Sequence, residues 1–258
     1  MMEDLAQLTQ LSVLQLQTGF VVFLRVGGVM AIAPGFGERT LPARVRLVLT
    51  LAFTLVVFPM VAPLMAERMA DAGLIGWVML ESLIGLAIGA MLRFFIVSLQ
   101  LAGTMASQAS SLSQLFGGST GEPQPAIGNL FVLGGLAFAM GMGLHIRFAE
   151  LIIYSYEALP PGLVPDPALL KDWSLSGIST TFSLAFSLAA PFVIAGLIYN
   201  VALGAINRAM PQLMVAFVGA PALTAGGLIL LAMIGPAVLQ IWHGAFTDFL
   251  DAPFEVRP

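Results

Sequence analysis

Three ionisable residues, Arg25, Glu81 and Arg93, lie inside long apolar stretches of this 258-residue chain and are the first candidates for chemistry. A charge at the middle of a bilayer costs roughly 2.5 to 3.5 kcal/mol on insertion scales, so each needs a partner or a function. Glu81 and Arg93 are twelve residues apart, about 18 Å along a helix, and cannot pair within it. Two hypotheses stay open: pairing between helices or subunits, or the lining of a polar conduit.

A second group of ionisable residues could form a proton relay near a membrane surface: His145, Glu150 and Glu157. Histidine and carboxylates are the usual parts of such relays. However, residues five apart diverge on a helix, so His145 and Glu150 do not face each other. The spacing therefore favours a solvated interfacial helix.

The residue types present and their spacing give little support to a catalytic site or a metal site. The serines at 107, 110, 111 and 113 have no histidine nearby, and the aspartates lie in predicted loops or tails. Cysteine is absent, and the only histidines are His145 and His243, so thiolate chemistry and His or Cys metal clusters are not expected. The sequence predicts no enzyme, no metal site and no cofactor.

The elements that position these residues are predicted to be membrane helices. Hydrophobic residues make up 59% of the chain, charged residues only 9%, and the mean hydropathy is +0.96, which is far from a soluble domain. The ten Lys and Arg residues form no basic stripe, which argues against a nucleic-acid partner. We expect an all-α integral membrane protein with a single domain over residues 1–258.

About six hydrophobic helical segments are predicted. Their bounds are 5–33, Leu47–Ala66, Leu74 to about Gly103, Ile127–Leu144 with a more polar continuation through Glu157, Ile178–Ile206, and Leu213–Trp242. The run LPPGLVPDP should break any helix, because proline removes a donor and clashes with the preceding turn. The last break, NRAMPQ, is so short that the final two segments should form an antiparallel helical hairpin.

Small residues are regularly spaced in the third segment. Glu81, Gly85, Gly89 and Arg93 recur every fourth residue, which places both glycines on one stripe of the helix. Such a stripe allows a neighbouring membrane helix to approach closely.

The uncharged stretch after the third segment ends in an unusual loop. Leu115 and Phe116 precede Gly117 and Gly118. Two bulky apolar side chains are therefore followed by glycines, at which the backbone can bend. They could occlude a passage, or they could simply anchor the loop on the helix bundle.

Several segments together carry a family resemblance. They are GFGERTLPARVR (35–46), LESLIGLAIGAMLRFF (80–95), QLAG (100–103) and INRAMPQLMVAFVGAP (206–221). On these, the whole chain resembles the FliR/SctT family of type III secretion export-gate proteins, with overall likeness to its flagellar branch. Thr104 departs from the family pattern, in which a glutamate is common.

The resemblance implies a structural, channel-forming subunit of the flagellar type III protein export gate, in the bacterial inner membrane at the flagellar basal body. Expected partners are FliP-type and FliQ-type subunits, FlhB, the exported unfolded flagellar proteins and membrane lipid, so the helices would pack inside a hetero-oligomeric helical assembly. By position, Leu115 and Phe116 correspond to an apolar plug that closes the resting pore. The predicted subunit or interhelix contacts are Arg25, Glu81, Gly85, Gly89, Arg93, Asn207, Arg208, Pro211 and Gln212.

Two alternatives stay open. One is a stand-alone small-solute membrane transporter, a class in which internal inverted repeats are frequent. We see no convincing repeat between residues 1–120 and 121–258. The other is the injectisome homologue of the same gate.

Overall fold

The computed structural model describes residues 2–38, 40–66, 74–110, 126–210 and 215–255. Those residues contain helices and their connections, with no strand among them. The helices are α1 (Met2–Ile32), α2 (Ala43–Ala66), α3 (Leu74–Ala109), α4 (Ala126–Gly141), α5 (Leu144–Ala158), α6 (Pro167–Ala209) and α7 (Val215–Asp251).

Five of the described helices are long and apolar enough to cross a membrane: α1, α2, α3, α6 and α7. The helices α4 and α5 meet the same criterion only when taken together, as one broken span, which raises the total to six. These findings confirm the predicted all-α integral membrane fold with about six hydrophobic segments.

The break between α4 and α5 was not predicted, since the sequence was expected to continue as one helix from Ile127 through Glu157. Gly143 has a φ of 86°, a left-handed conformation that glycine adopts without the steric cost of a β-carbon. The helix therefore ends at Gly141 and a new one begins at Leu144.

Prolines inside the membrane helices do not end them. Pro191 lies within α6, and Pro221 and Pro236 lie within α7. Within α2, Pro59 and Pro63 behave in the same way. Apolar spans tolerate proline because neighbouring groups and local adjustments satisfy the freed backbone carbonyls. The Pro-rich run after α5 does interrupt the helix, as predicted. The next helix, α6, begins at Pro167, eleven residues earlier than the predicted Ile178.

The structure divides into two compact units, and the first comprises Met1–Phe94, Gly143–Ser176 and Ala252–Pro258. Its core lies among α1, α2, the first part of α3, and α5. The fully buried apolar side chains there include Val22, Val26, Met30, Val57, Met65, Ile88, Leu92, Phe148 and Ile152. Phe36, in the loop after α1, packs against Phe53 and Phe148 with ring centroids 5.6 Å away in each case.

The second unit comprises Phe95–Met142 and Gly177–Asp251. Trp242 of α7 is fully buried in it, and its indole Nε1 donates a 2.8 Å hydrogen bond to the Phe95 carbonyl. Near the chain turn, the Tyr199 hydroxyl of α6 donates to the Gly219 carbonyl of α7. Farther from the turn, Phe192 of α6 and Leu230 of α7 line one small cavity. The order of these contacts confirms the antiparallel C-terminal hairpin.

Candidate functional site

The central polar feature of the first unit is an ion pair between α1 and α3. Arg25 Nε lies 2.6 Å from Glu81 Oε2, and both side chains have 0% solvent exposure. A pair taken completely out of water is stable only when its remaining hydrogen-bonding capacity is also met. The stability of this ion pair therefore depends on the hydrogen-bonding groups around it.

All three guanidinium nitrogens of Arg25 donate hydrogen bonds. Besides the Nε bond to Glu81, Nη1 donates to the carbonyl and the hydroxyl of Ser155, at 3.0 and 3.1 Å, and Nη2 donates to the Leu159 carbonyl at 3.0 Å. The guanidinium carbon lies 3.8 Å from the ring centroid of Tyr156, a cation-π contact strengthened by desolvation.

The carboxylate of Glu81 completes the arrangement, because its second oxygen, Oε1, accepts a 3.3 Å hydrogen bond from the Gly162 backbone N–H. The ion pair thus connects α1, α3, the end of α5 and the loop that follows α5. We call this group of residues the charge centre: Arg25, Glu81, Ser155, Tyr156, Leu159 and Gly162. Sequence reasoning found only Arg25 and Glu81. Leu159 and Gly162 act through a backbone carbonyl and N–H, which leave no signal in the residue type, and Ser155 and Tyr156 meet Arg25 only through the packing of distant segments.

Glycines bring the two charged helices together. A β-carbon at Gly85 would collide with the Arg25 carbonyl, and one at Gly89 would lie 2.9 Å from the Val29 carbonyl oxygen. On the facing side, a β-carbon at Gly28 would lie 2.8 Å from the Leu86 backbone nitrogen. The backbones of α1 and α3 therefore touch along this stripe, and Gly28 is the member that the sequence reasoning missed.

Arg93 has a different partner, in the loop that joins α1 to α2. Its Nη1 lies 2.5 Å from Glu38 Oε1, with 29% and 25% exposure of the two side chains. Arg46 Nε and Nη2 donate to the carbonyls of Phe36 and Glu38 at 3.1 and 3.0 Å. The two arginines therefore hold this loop against the first turn of α2 and the middle of α3.

The other candidate chemistries gain no geometric support. His145 is exposed on α5, and Glu150 Oε2 lies 3.6 Å from Arg147 Nη1, one turn away. The Ser110 hydroxyl, just past the end of α3, donates to the Ala106 carbonyl in the last turn of that helix. Over the described part of the chain, no group of three or more His, Cys, Asp or Glu residues could hold a metal ion.

The remaining predicted contact residues are at the turn of the C-terminal hairpin. Asn207 and Arg208 are exposed in the last turn of α6. Pro211 and Gln212 lie outside the described residues, and so do Leu115 and Phe116 of the predicted plug.

Comparison with known proteins places this geometry in a family. Residues 16–249 match the family model described as "Bacterial export proteins, family 1". That match includes both members of the ion pair, the glycine stripe and the C-terminal hairpin. The chain belongs to bacterial export family 1.

Similar members of bacterial export family 1 are flagellar proteins. The chain is 34% identical over 243 residues to the flagellar biosynthetic protein FliR of Caulobacter vibrioides, covering 92% of this chain and 96% of the relative. Proteins of the same name from Bacillus subtilis and Escherichia coli are 24% and 25% identical, covering 92% and 90% of this chain and 93% and 89% of each relative. These names describe flagellar biosynthesis and mention no enzymatic activity.

Proposed function

We propose that this chain is a structural, channel-forming subunit of the flagellar type III protein export gate, through which unfolded flagellar proteins cross the bacterial inner membrane at the basal body. The observation that carries the proposal is the match of residues 16–249 to bacterial export family 1, together with 34% identity over 96% of a flagellar biosynthetic protein. The remaining support comes from the site itself.

The charge centre supports a structural role for this chain. Arg25 and Glu81 have 0% exposure, so neither solute nor water reaches them in this structure, and they bond to backbone groups of two further segments. Such an arrangement fixes helices relative to one another. A fixed helix scaffold is what a subunit of a larger assembly requires.

The surface of the helices supports assembly with partners. Many large apolar side chains on α6 and α7 are exposed, such as Leu197, Ile198 and Val201 on α6 and Met233 on α7, and the candidate span in α7 is only 11% buried. In a membrane, such faces contact lipid or other helices. FliP-type and FliQ-type subunits and FlhB are the partners that we propose, with Asn207, Arg208, Pro211 and Gln212 as contacts.

The experiment that tests assembly is purification of the C-terminally tagged chain from its own host in mild detergent, followed by native mass spectrometry. We expect one defined complex that contains FliP-like and FliQ-like subunits. Recovery of the chain alone, or only as a homo-oligomer, from membranes that contain those subunits would overturn the proposal. In that case, saturable solute uptake by the purified chain would support the transporter alternative.

The flagellar role is tested separately from assembly. Deletion of the chain in its host should abolish swimming and export of filament protein, and the plasmid-borne chain should restore both. Normal motility with loss of another secreted protein would instead indicate the injectisome homologue.

A further inference from the structure

The first unit contains an open groove where α5 ends and α6 begins, with a cavity volume of about 330 Å³. Its walls are mainly apolar, and the residues that matter here are Leu159, Leu163, Leu169, Trp173 and Phe254, together with the carboxylate of Asp166. We call this feature the α5–α6 groove. Its lining residues belong neither to the predicted plug nor to the predicted contact residues of the hairpin turn.

One wall of the groove is held by the charge centre. The Leu159 carbonyl accepts from Arg25 Nη2, and the Gly162 N–H donates to Glu81 Oε1. Gly162 has a φ of 76°, and a β-carbon there would lie 2.6 Å from the Trp77 ring. The loop between α5 and α6 is therefore locked to the core of its unit by a buried ion pair.

The opposite wall is held by the segment after α7. Trp173 Nε1 donates a 2.8 Å hydrogen bond to the Pro253 carbonyl, and the Trp173 and Phe254 rings stack at 6.1 Å between centroids. Both walls are thus in place before anything binds. A preformed groove spares a ligand the entropic cost of ordering the protein.

The apolar residues at the mouth of the groove are not covered by the unit that carries them. Val164 is 78% exposed, and Leu163 and Leu169 are 56% and 63% exposed. Contiguous exposed apolar residues beside a well-formed groove mark a site of contact with lipid or with another protein.

The charged residues around the groove favour one kind of occupant over another. Asp166 lines the groove and is exposed, and the exposed Glu157 directly precedes the lining residue Ala158. Lys171, a neighbouring cation, has its Nζ 3.6 Å from the Asp172 carboxylate. Exposed carboxylates beside an apolar groove repel anionic lipid headgroups and attract Lys or Arg side chains.

We propose that the α5–α6 groove binds an apolar side chain that is flanked by Lys or Arg on a neighbouring protein subunit of the export assembly. The apolar side chain would fill the space between Leu163 and Trp173, and the flanking cation would meet Asp166. This proposal rests on the proposed function, because it assumes a protein assembly. A lipid occupant is the competing result that the test must separate.

The chain has no cysteine, so one introduced thiol reports on a single site. Val164→Cys is reacted with a maleimide in three preparations: the full chain alone in detergent, the full chain alone in nanodiscs of phosphatidylethanolamine and phosphatidylglycerol, and the complex purified from the host. We expect labelling to be about tenfold slower in the complex only, since a packed interface excludes water and solutes. Lys171→Cys, at a position that is 69% exposed and outside the groove lining, is the matched control and should react at similar rates in all three.

Each other labelling result would overturn the proposal. Slow labelling of Val164→Cys in nanodiscs without partners would assign the groove to lipid. Equal rates in all three preparations would mean that nothing occupies it. Equal slowing at both positions in the complex would mean that a whole face is covered without specific use of the groove.

The cationic part of the proposal is tested by Asp166→Asn in the Val164→Cys background. Asparagine can still accept the hydrogen bond that Asp166 Oδ1 takes from the Ala168 N–H at 2.9 Å, so the start of α6 is preserved while the charge is lost. We expect protection in the complex to weaken by about threefold to tenfold, and Asp172→Asn, also exposed, to leave it unchanged. Unchanged protection with Asp166→Asn would refute the basic character of the occupant.

Native mass spectrometry of the same preparations separates the two proposals. If the complex forms and the groove stays reactive, only the groove assignment fails. If no complex forms even with the unmodified chain, the proposed function fails first.

Discussion

At the scale of single residues, the fate of Arg25 and Glu81 shows how a charge is tolerated in an apolar helix. Each is fully buried, and each is surrounded by donors or acceptors of the right kind. Burial strengthens their mutual attraction, but it also makes either charge very costly without the other. The pair therefore behaves as one unit.

Replacing one member should be much more damaging than replacing the equivalent residue of the exposed pair. Glu81→Gln leaves the Arg25 charge buried and uncompensated, and we expect it to lower the free energy of unfolding by about 3 to 5 kcal/mol. Glu38→Gln, in the partly exposed pair with Arg93, should cost about 0 to 1 kcal/mol. Both losses of stability are measured by thermal or denaturant unfolding of the purified chain in detergent, monitored by circular dichroism. Equal losses for the two variants would contradict a special role for burial.

Removing both charges should restore part of the lost stability. The double variant Arg25→Met with Glu81→Met leaves no unpaired buried ion, and methionine adapts to irregular spaces. We expect it to unfold at a higher temperature than Arg25→Met or Glu81→Met alone. Strictly additive losses would show that the two side chains do not depend on each other.

At the scale of helices, the close contact of α1 and α3 depends on the absence of side chains. Gly85→Ala would push a methyl group into the Arg25 carbonyl, which is backbone and cannot rotate away. We expect a loss of about 1 to 3 kcal/mol, as for overpacking in a dense core, together with displacement of Arg25. Gly76→Ala in the same helix, where nothing lies within 4 Å of the new methyl group, is the control and should be neutral or slightly stabilising in the same unfolding measurement.

The hairpin turn between α6 and α7 should matter for assembly and not for folding. Arg208 is exposed at the end of α6, so Arg208→Ala should leave the unfolding temperature of the isolated chain unchanged. If Arg208 is a subunit contact, the yield of purified complex should fall by roughly tenfold, the effect of losing a moderate interface residue. Arg208→Lys should recover part of that yield. Complex at the unmodified yield from Arg208→Ala would exclude the contact role.

At the scale of the whole molecule, the prediction concerns closure of the proposed channel. Phe116→Ala should make the assembled gate leaky to small ions while leaving complex formation intact, because it removes bulk from the expected plug. Conductance or ion-flux measurements on membranes that contain the complex test this, with Gln114→Ala in the same loop as the control. An unchanged leak with normal export would count against Phe116 as a plug residue.

The residue composition and its periodicity were sufficient to predict the all-α membrane fold, the hydrophobic segments and the C-terminal hairpin. Each depends on local physics: a spanning helix must be apolar over its whole length, and a short break forces an antiparallel return. The stripe of Gly85 and Gly89 was also readable, since residues four apart share a helix face. The end of α4 was missed because a single glycine, Gly143, determines it, and glycine is common throughout the chain.

Only the tertiary structure decided which groups satisfy the buried charges. Arg25 and Glu81 are 56 residues apart, and their further partners Ser155, Leu159 and Gly162 act mainly through backbone atoms. Backbone donors and acceptors are the same in every residue, so no sequence pattern reveals them. The α5–α6 groove has the same origin, because its walls come from the chain near residue 160 and near residue 254. The sequence by itself thus determined that charges would lie within apolar helices, and the packing of distant segments determined which of them are buried and where each charge is satisfied.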